Sequence, residues 1–328
     1  VIRRAPSSSA RVKCALVLAL FSAACTSVPK TPSSPSSVTS LDSAIGQQKP
    51  IHLGFRPTKE RRIRVLLTGD SVLFTMETTI LRALQSTAVA KVFPQAFPGW
   101  GLTTDPIWKE HVATMLNDDR PDIVLAQWIW DTDAAKYHPL AYAATLQRYV
   151  KQMTSGPHGA KGVIFLDWPK IGDLNAPMGP GGSLVERDPS GHRAWIKVAR
   201  TVSAKFPGKA LVADVSAVAL DHGQFSMWLP PADQPEAPYA QWQRARMNDG
   251  VHFCSAAAIR FSGRLMVLLH KLFGLPLAQA GWTQAQVHKT SKDKLWIAVT
   301  NQLAAEGASA DCPRDHPPVV ENGEQSSP

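Results

Sequence analysis

Metal-ligand spacing is missing from this 328-residue chain. Its histidines, among them His111, His138, His192 and His222, stand apart from one another and from the cysteines. The expectation is therefore no metal and no cofactor. A run of Lys and Arg is absent too. The formal net charge is +9, but Arg3, Arg4, Arg11, Lys13 and Lys30 hold part of it in the N-terminal tail, and the rest is scattered. Nucleic acid is therefore not an expected partner. Internal repeats are likewise absent, which argues against stacked-repeat architectures. The apolar run at 14–24 falls short of the roughly 20 residues that a spanning helix needs.

What is present suits one sizeable domain with tails, since 44% of the residues are hydrophobic and the length exceeds one ordinary domain. Residues 1–25 form an expected export signal: Arg3, Arg4, Arg11 and Lys13 precede the apolar run, and Ser22, Ala23 and Ala24 lead to Cys25. Ser-Ala-Ala-Cys looks like a bacterial lipobox, in which Cys25 would carry a lipid anchor. Ordinary signal-peptidase cleavage in the same small-residue stretch is the alternative. Residues 26–62 are Pro/Ser-rich at their start and lack apolar periodicity, so they are expected to be a tether. Either route places the protein in the cell envelope or outside it, with membrane contact only through Cys25.

The chemistry is concentrated at two places. In IRVLLTGDSV, residues 63–72, a short apolar strand ends in a Gly-containing turn. A helical pattern follows at Val72, Leu73, Met76, Ile80, Leu81 and Leu84. That sequence of elements presents Ser71 at the C-terminal edge of a parallel sheet and near a helix N-terminus, where free N–H groups stabilise anions. Ser71 can equally be an ordinary helix N-cap. Far downstream, in Asn248-Asp249-Gly250-Val251-His252, one turn carries an imidazole and a carboxylate able to orient it. Nucleophile, base and orienter are then all available, in the order Ser71, Asp249, His252.

Together, GDSV and DGVHF resemble the first and last blocks of the SGNH (GDSL-like) hydrolases, nearest to the SGNH domains allied to envelope O-acyltransferases. The resemblance covers about residues 62–273. It implies an α/β fold, a three-layer α/β/α sandwich around a flavodoxin-like parallel sheet, and an esterase or acyltransferase activity. It also implies an oxyanion hole built from the N–H of Ser71 and of a second-block glycine, for which Gly101 is the closer match and Gly99 the second. The third block departs from the pattern. Where the family has Gly-x-Asn-Asp, this chain has Trp128-Ile129-Trp130-Asp131 and no Asn. The indole N–H of Trp130 can replace the missing donor, or Trp130 can be a packed wall; both stay open.

The remaining elements alternate. Strands are expected at 90–96, 122–126, 162–166 and 210–215, and helices at 106–116, 140–153, 191–206, 256–273 and 283–303. Alternation of this kind predicts a doubly wound parallel sheet. Two long insertions, 167–189 and 216–248, are candidates for pocket walls, the second with Trp228, Pro230, Pro231, Tyr239 and Trp242. Asp70, Asp131 and Trp228 are candidate substrate contacts. The domain itself is expected over 63–306, with a disordered tail over 307–328. Cys254 and Cys312 remain after export in a disulfide-permissive setting, but a buried, unpaired Cys254 is the alternative.

Two functions follow as expectations. The first is an exported serine esterase or O-acyltransferase acting on acyl, chiefly acetyl, esters of an envelope carbohydrate or on small esters. The second is a degenerate hydrolase that binds glycan without turning it over. The missing Asn favours the second, and the intact Ser71, Asp249 and His252 favour the first. Oligomeric state, and the choice between water and a sugar hydroxyl as acceptor, leave no mark in the sequence.

Overall fold

The computed structural model describes residues 46–173, 184–231, 234, 236–277 and 312. The expected export signal, the helix at 283–303 and most of the C-terminal tail lie outside those residues.

Five strands form one parallel sheet: β1 (Ile63–Gly69), β2 (Ala90–Ala96), β3 (Ile123–Gln127), β4 (Gly162–Leu166) and β7 (Ala210–Ala213), in the order β2-β1-β3-β4-β7. Two short antiparallel ladders lie in the insertions: β5 (Gly172–Asp173) with β6 (Val185–Glu186), and β8 (Trp228–Leu229) with β9 (Gln243–Arg244). The helices are α1 (Ser71–Ser86), α2 (Trp108–Asp119), α3 (Thr132–Tyr137), α4 (Pro139–Met153), α5 (Ser190–Ala204) and α6 (Ser255–Phe273).

The central strands are apolar almost without interruption because both of their faces are covered. Every residue of β3, β4 and β7 is buried. The edge strand β2 instead alternates, and it tolerates Pro94, which has no N–H to give to a neighbour. One helical layer is α1 packed on α6; the other joins α2, α4 and α5, with α3 against α5. The three-layer α/β/α sandwich and its flavodoxin-like order are therefore as expected. Between β1 and β3 the chain reverses its direction across the sheet, first out to β2 and then back past β1. The strand C-terminal ends splay apart at such a switch point, which is where α/β sheets hold ligands.

Several expectations need correction. The tether was expected to run through residue 62, yet the fold begins near Gln48. Its side-chain amide donates to the Val212 carbonyl at 2.9 Å and accepts from the Val212 N–H at 2.8 Å, closing the β7 edge as a neighbouring strand would. Ile51 is fully buried, and it fills the space that a side chain at Gly162 would need. The helix expected at 140–153 is preceded by a separate short helix, α3. Pro139, which cannot donate to the preceding turn, opens α4 as a new helix. The insertion 167–189 is not all loop, because it carries the β5–β6 ladder.

Cys254 and Cys312 are joined as a disulfide with Cα atoms 5.5 Å apart. The bond ties the start of α6 to a residue 58 positions later. On the chain-entropy model a loop of that size is worth about 4 kcal/mol.

Candidate active site

Gly69 ends β1 where a side chain has no room: a Cβ there would lie 2.3 Å from the Gln127 carbonyl oxygen on β3. Asp70 follows, fully buried, and it is the N-cap of α1. One carboxylate oxygen accepts from the Val72 N–H at 3.0 Å; the other accepts from the N–H groups of Ile129 at 2.5 Å and Trp130 at 3.2 Å. Asp70 thus fastens the segment after β3 onto the start of α1. Burial pushes its carboxyl up to about 7 against the pull of those donors, and the charge of Asp131 adds to the rise.

Because Asp70 takes the cap, Ser71 does not. Ser71 stands at the first helical position, half-buried, and its N–H has no acceptor among the described residues. The N-cap reading of Ser71 is corrected accordingly. Its Oγ lies 3.4 Å from the indole Nε1 of Trp130, whose ring is 41% exposed.

The next loop is held by Asp131, which is fully buried. Its carboxylate accepts from the N–H groups of Leu102 (3.2 Å) and Thr103 (3.3 Å), from the Tyr142 hydroxyl (3.1 Å) and from the Thr103 hydroxyl. Tyr142 accepts in turn from Trp195 Nε1 at 2.9 Å. Burial raises the Asp131 carboxyl more than these donors lower it. The two candidate glycines separate by geometry. Gly99 adopts a left-handed backbone, φ +77°, and serves the turn. At Gly101 a Cβ would press on the Asp131 carboxylate at 2.9 Å, so the backbone there passes directly against the anchor. The N–H of Gly101 has no acceptor among the described residues.

Asp249 and His252 share one turn. Asp249 Oδ2 lies 2.5 Å from His252 Nδ1, while its Oδ1 accepts from the N–H groups of Val251 (2.8 Å) and His252 (3.0 Å). Burial works to raise the Asp249 carboxyl, but the His252 ring and the two N–H donors outweigh it and hold it below its ordinary value. Gly250 has φ +66°, and a Cβ there would strike Leu184 at 2.5 Å. Directly after the turn, the Phe253 N–H reaches Thr75 Oγ1 at 3.5 Å. Thr75 is four residues beyond Ser71 and on the same face of α1, so the turn approaches the face that carries Ser71. Among the described residues no hydrogen bond joins Ser71 to His252.

The expected substrate roles of Asp70 and Asp131 are corrected: both are fully buried and their carboxylates are taken up by N–H and O–H donors, so they build the site from behind. Trp228 lies in the β8–β9 ladder with the Arg244 guanidinium 5.6 Å over its ring. Spacing alone gave no sign of the Asp131–Tyr142–Trp195 chain, since its members come from three elements. Two hollows flank the site. One, of about 580 Å³, adjoins Gly99 and Trp100 and is lined also by Phe97, His111 and Met115. The other, of about 190 Å³, adjoins Ile129 and is lined by Lys136, Trp168, Ile171, Arg187 and His192.

The chain matches no protein-family model and no curated protein. Among solved structures it is similar to Est24, a carbohydrate acetylesterase from Sinorhizobium meliloti, at 14% identity and a TM-score of 0.43, over 65% of this chain and 100% of that one. It is similar to the C-terminal catalytic domain of peptidoglycan O-acetyltransferase A from Streptococcus pneumoniae at 18% identity and a TM-score of 0.39, over 66% and 97%. A proposed SGNH hydrolase from Slackia heliotrinireducens is similar at 19% identity and a TM-score of 0.42, over 63% and 98%. The solved structures that this chain is similar to are thus SGNH-type hydrolases, acetylesterases and an O-acetyltransferase domain.

Proposed function

We propose that the chain is a serine esterase or O-acyltransferase of the SGNH type, acting on acyl esters, chiefly acetyl esters, of an envelope carbohydrate. The observation that carries this reading is the division of labour at the start of α1. Asp70 caps the helix, which leaves the Ser71 N–H without an acceptor among the described residues and its hydroxyl bonded only by the Trp130 indole N–H, and the Asp249–His252 turn approaches the same helix face.

In the proposed reaction Ser71 Oγ attacks the ester carbonyl and His252 Nε2 takes the hydroxyl proton. Asp249, on Nδ1, fixes the tautomer and stabilises the imidazolium. The oxyanion is received by the N–H groups of Ser71 and Gly101 and by the indole N–H of Trp130, in place of the family's Asn side chain. His252 returns its proton to the leaving alcohol. Water, or a second sugar hydroxyl, then attacks the acyl-Ser71 ester and regenerates the enzyme. Export, with a lipid on Cys25, places this activity in the envelope.

The test is release of acetate from an O-acetylated envelope glycan and from a small aryl acetate by wild type and Ser71→Ala. Turnover by wild type that is abolished in Ser71→Ala supports the proposal. Glycan binding without turnover in either protein transfers the chain to the degenerate, glycan-binding reading.

A further inference from the structure

Arg246 is a buried cation with no carboxylate bonded to it among the described residues. Its side chain is fully buried, and its Nε has no acceptor among the described residues. The guanidinium donates to the Lys170 carbonyl at 3.1 Å and to the Val251 carbonyl at 3.4 Å, and it lies 4.0 Å over the Phe253 ring. A guanidinium taken out of water without a bonded counter-ion destabilises the fold, so an apolar side chain would suit this position better if packing were its only task.

The two carbonyls come from different segments. Val251 belongs to the turn that carries Asp249 and His252. Lys170 belongs to the segment after β4, whose Gly172 N–H donates to the Gly250 carbonyl at 2.9 Å. Arg246 therefore closes the same junction from beneath. Burial draws its pKa down to about 9, and the charge of Asp249 draws it back up, so it stays a cation at neutral pH.

We propose that Arg246 is a positioning residue for the Asp249–His252 pair, clamping their turn to the segment after β4 and placing a fixed positive charge behind them. This rests on the reading of those two residues as an acid–base pair. A fixed positive charge behind the pair opposes the arrival of a second one. Two other cations stand at the junction, Lys170 and Arg244, each with partners of its own. Lys170 Nζ is held by Glu186 at 3.1 Å and by Gln224 at 3.2 Å. Arg244 donates to the Arg246 carbonyl at 3.0 Å and to the Asn248 side chain.

The experiment compares the full wild-type chain with Arg246→Gln, which keeps a donor and removes the charge, and Arg246→Lys, which keeps the charge and removes the fork. The His252 ring signal is titrated by NMR in each, beside melting temperature and ester turnover. The midpoint should rise by about one pH unit in Arg246→Gln and stay at the wild-type value in Arg246→Lys. A folded Arg246→Gln with an unmoved midpoint overturns the proposal and leaves Arg246 a structural buttress. Should Arg246→Gln not fold, Arg246→Met, which also removes the charge, takes its place: a rise of about one unit supports the fixed charge, and an unmoved midpoint overturns it. The titration needs no turnover, so an inactive wild type would retire the esterase reading without touching this result.

Discussion

At the scale of single residues, the site depends on which polar groups are already engaged and which are left over. Asp70 and Asp131 spend their carboxylates largely on backbone N–H groups, which leaves the N–H groups of Ser71 and Gly101 without acceptors among the described residues and the Trp130 indole N–H on Ser71 Oγ. If the indole is an oxyanion donor, Trp130→Phe keeps most of the ring's packing and should lower kcat on an aryl ester by about 10²–10³. Its melting temperature should hardly change, because the ring is 41% exposed. Near-wild-type kcat would make Trp130 a wall. Asp249 gives a pH-dependent signature. Its folded pKa is depressed below 3.8, so its contribution to stability is present above that value and is lost as pH falls through the lower folded one. The gap in melting temperature between wild type and Asp249→Ala should accordingly be full at pH 6 and close as the pH drops below 3.8. A gap that widens on acidification would contradict the pairing. Ser71, Asp249 and His252 were candidates from residue type, order and the family resemblance, and the Asp249–His252 turn does reach the helix face of Ser71. Arg246 was not, because an arginine three residues before an aspartate looks like any solvated charge until its burial is known.

At the scale of elements, legibility followed the strength of the local signal. Strands β2 and β4 lie where their apolar runs end against Gly, Pro and polar residues, and both match expectation to the residue. The short helix α3 was missed because six residues are too few to show a 3.6-residue period. The strap around Gln48 and Ile51 was taken for tether for the opposite reason: its neighbours are polar and Pro-containing, and its partners, Val212 and Gly162, are distant in sequence. Gln48 supplies the test of its role. Gln48→Ala removes both bonds to Val212 and should cost about 1–2 kcal/mol. In a domain of this size that is a fall of about 2–8 °C in melting temperature. No change would mean that the β7 edge needs no cover.

At the scale of the whole molecule, the sheet order β2-β1-β3-β4-β7 sets the functional geography. It places the C-terminal ends of β1, β2 and β3 side by side, and so brings Ser71, Gly101 and Trp130 to one edge from positions up to 59 residues apart. The alternation of strands and helices predicted a parallel, doubly wound sheet, and the family resemblance implied its flavodoxin-like order. The return of the C-terminal turn to the face of α1 could be expected only through the family resemblance, since nothing local in residues 249–253 says where it docks. The Cys254–Cys312 bond then pins the segment just after the turn. The central claim, that Ser71 is a nucleophile activated by His252, is tested most directly by its covalent chemistry. The purified chain is treated with a fluorophosphonate, digested, and the modified peptide sequenced by mass spectrometry. One phosphonyl group on Ser71 is expected, abolished in Ser71→Ala and slowed by orders of magnitude in His252→Ala. An unmodified Ser71 in the folded wild-type protein, or modification that is as fast without His252, would contradict it.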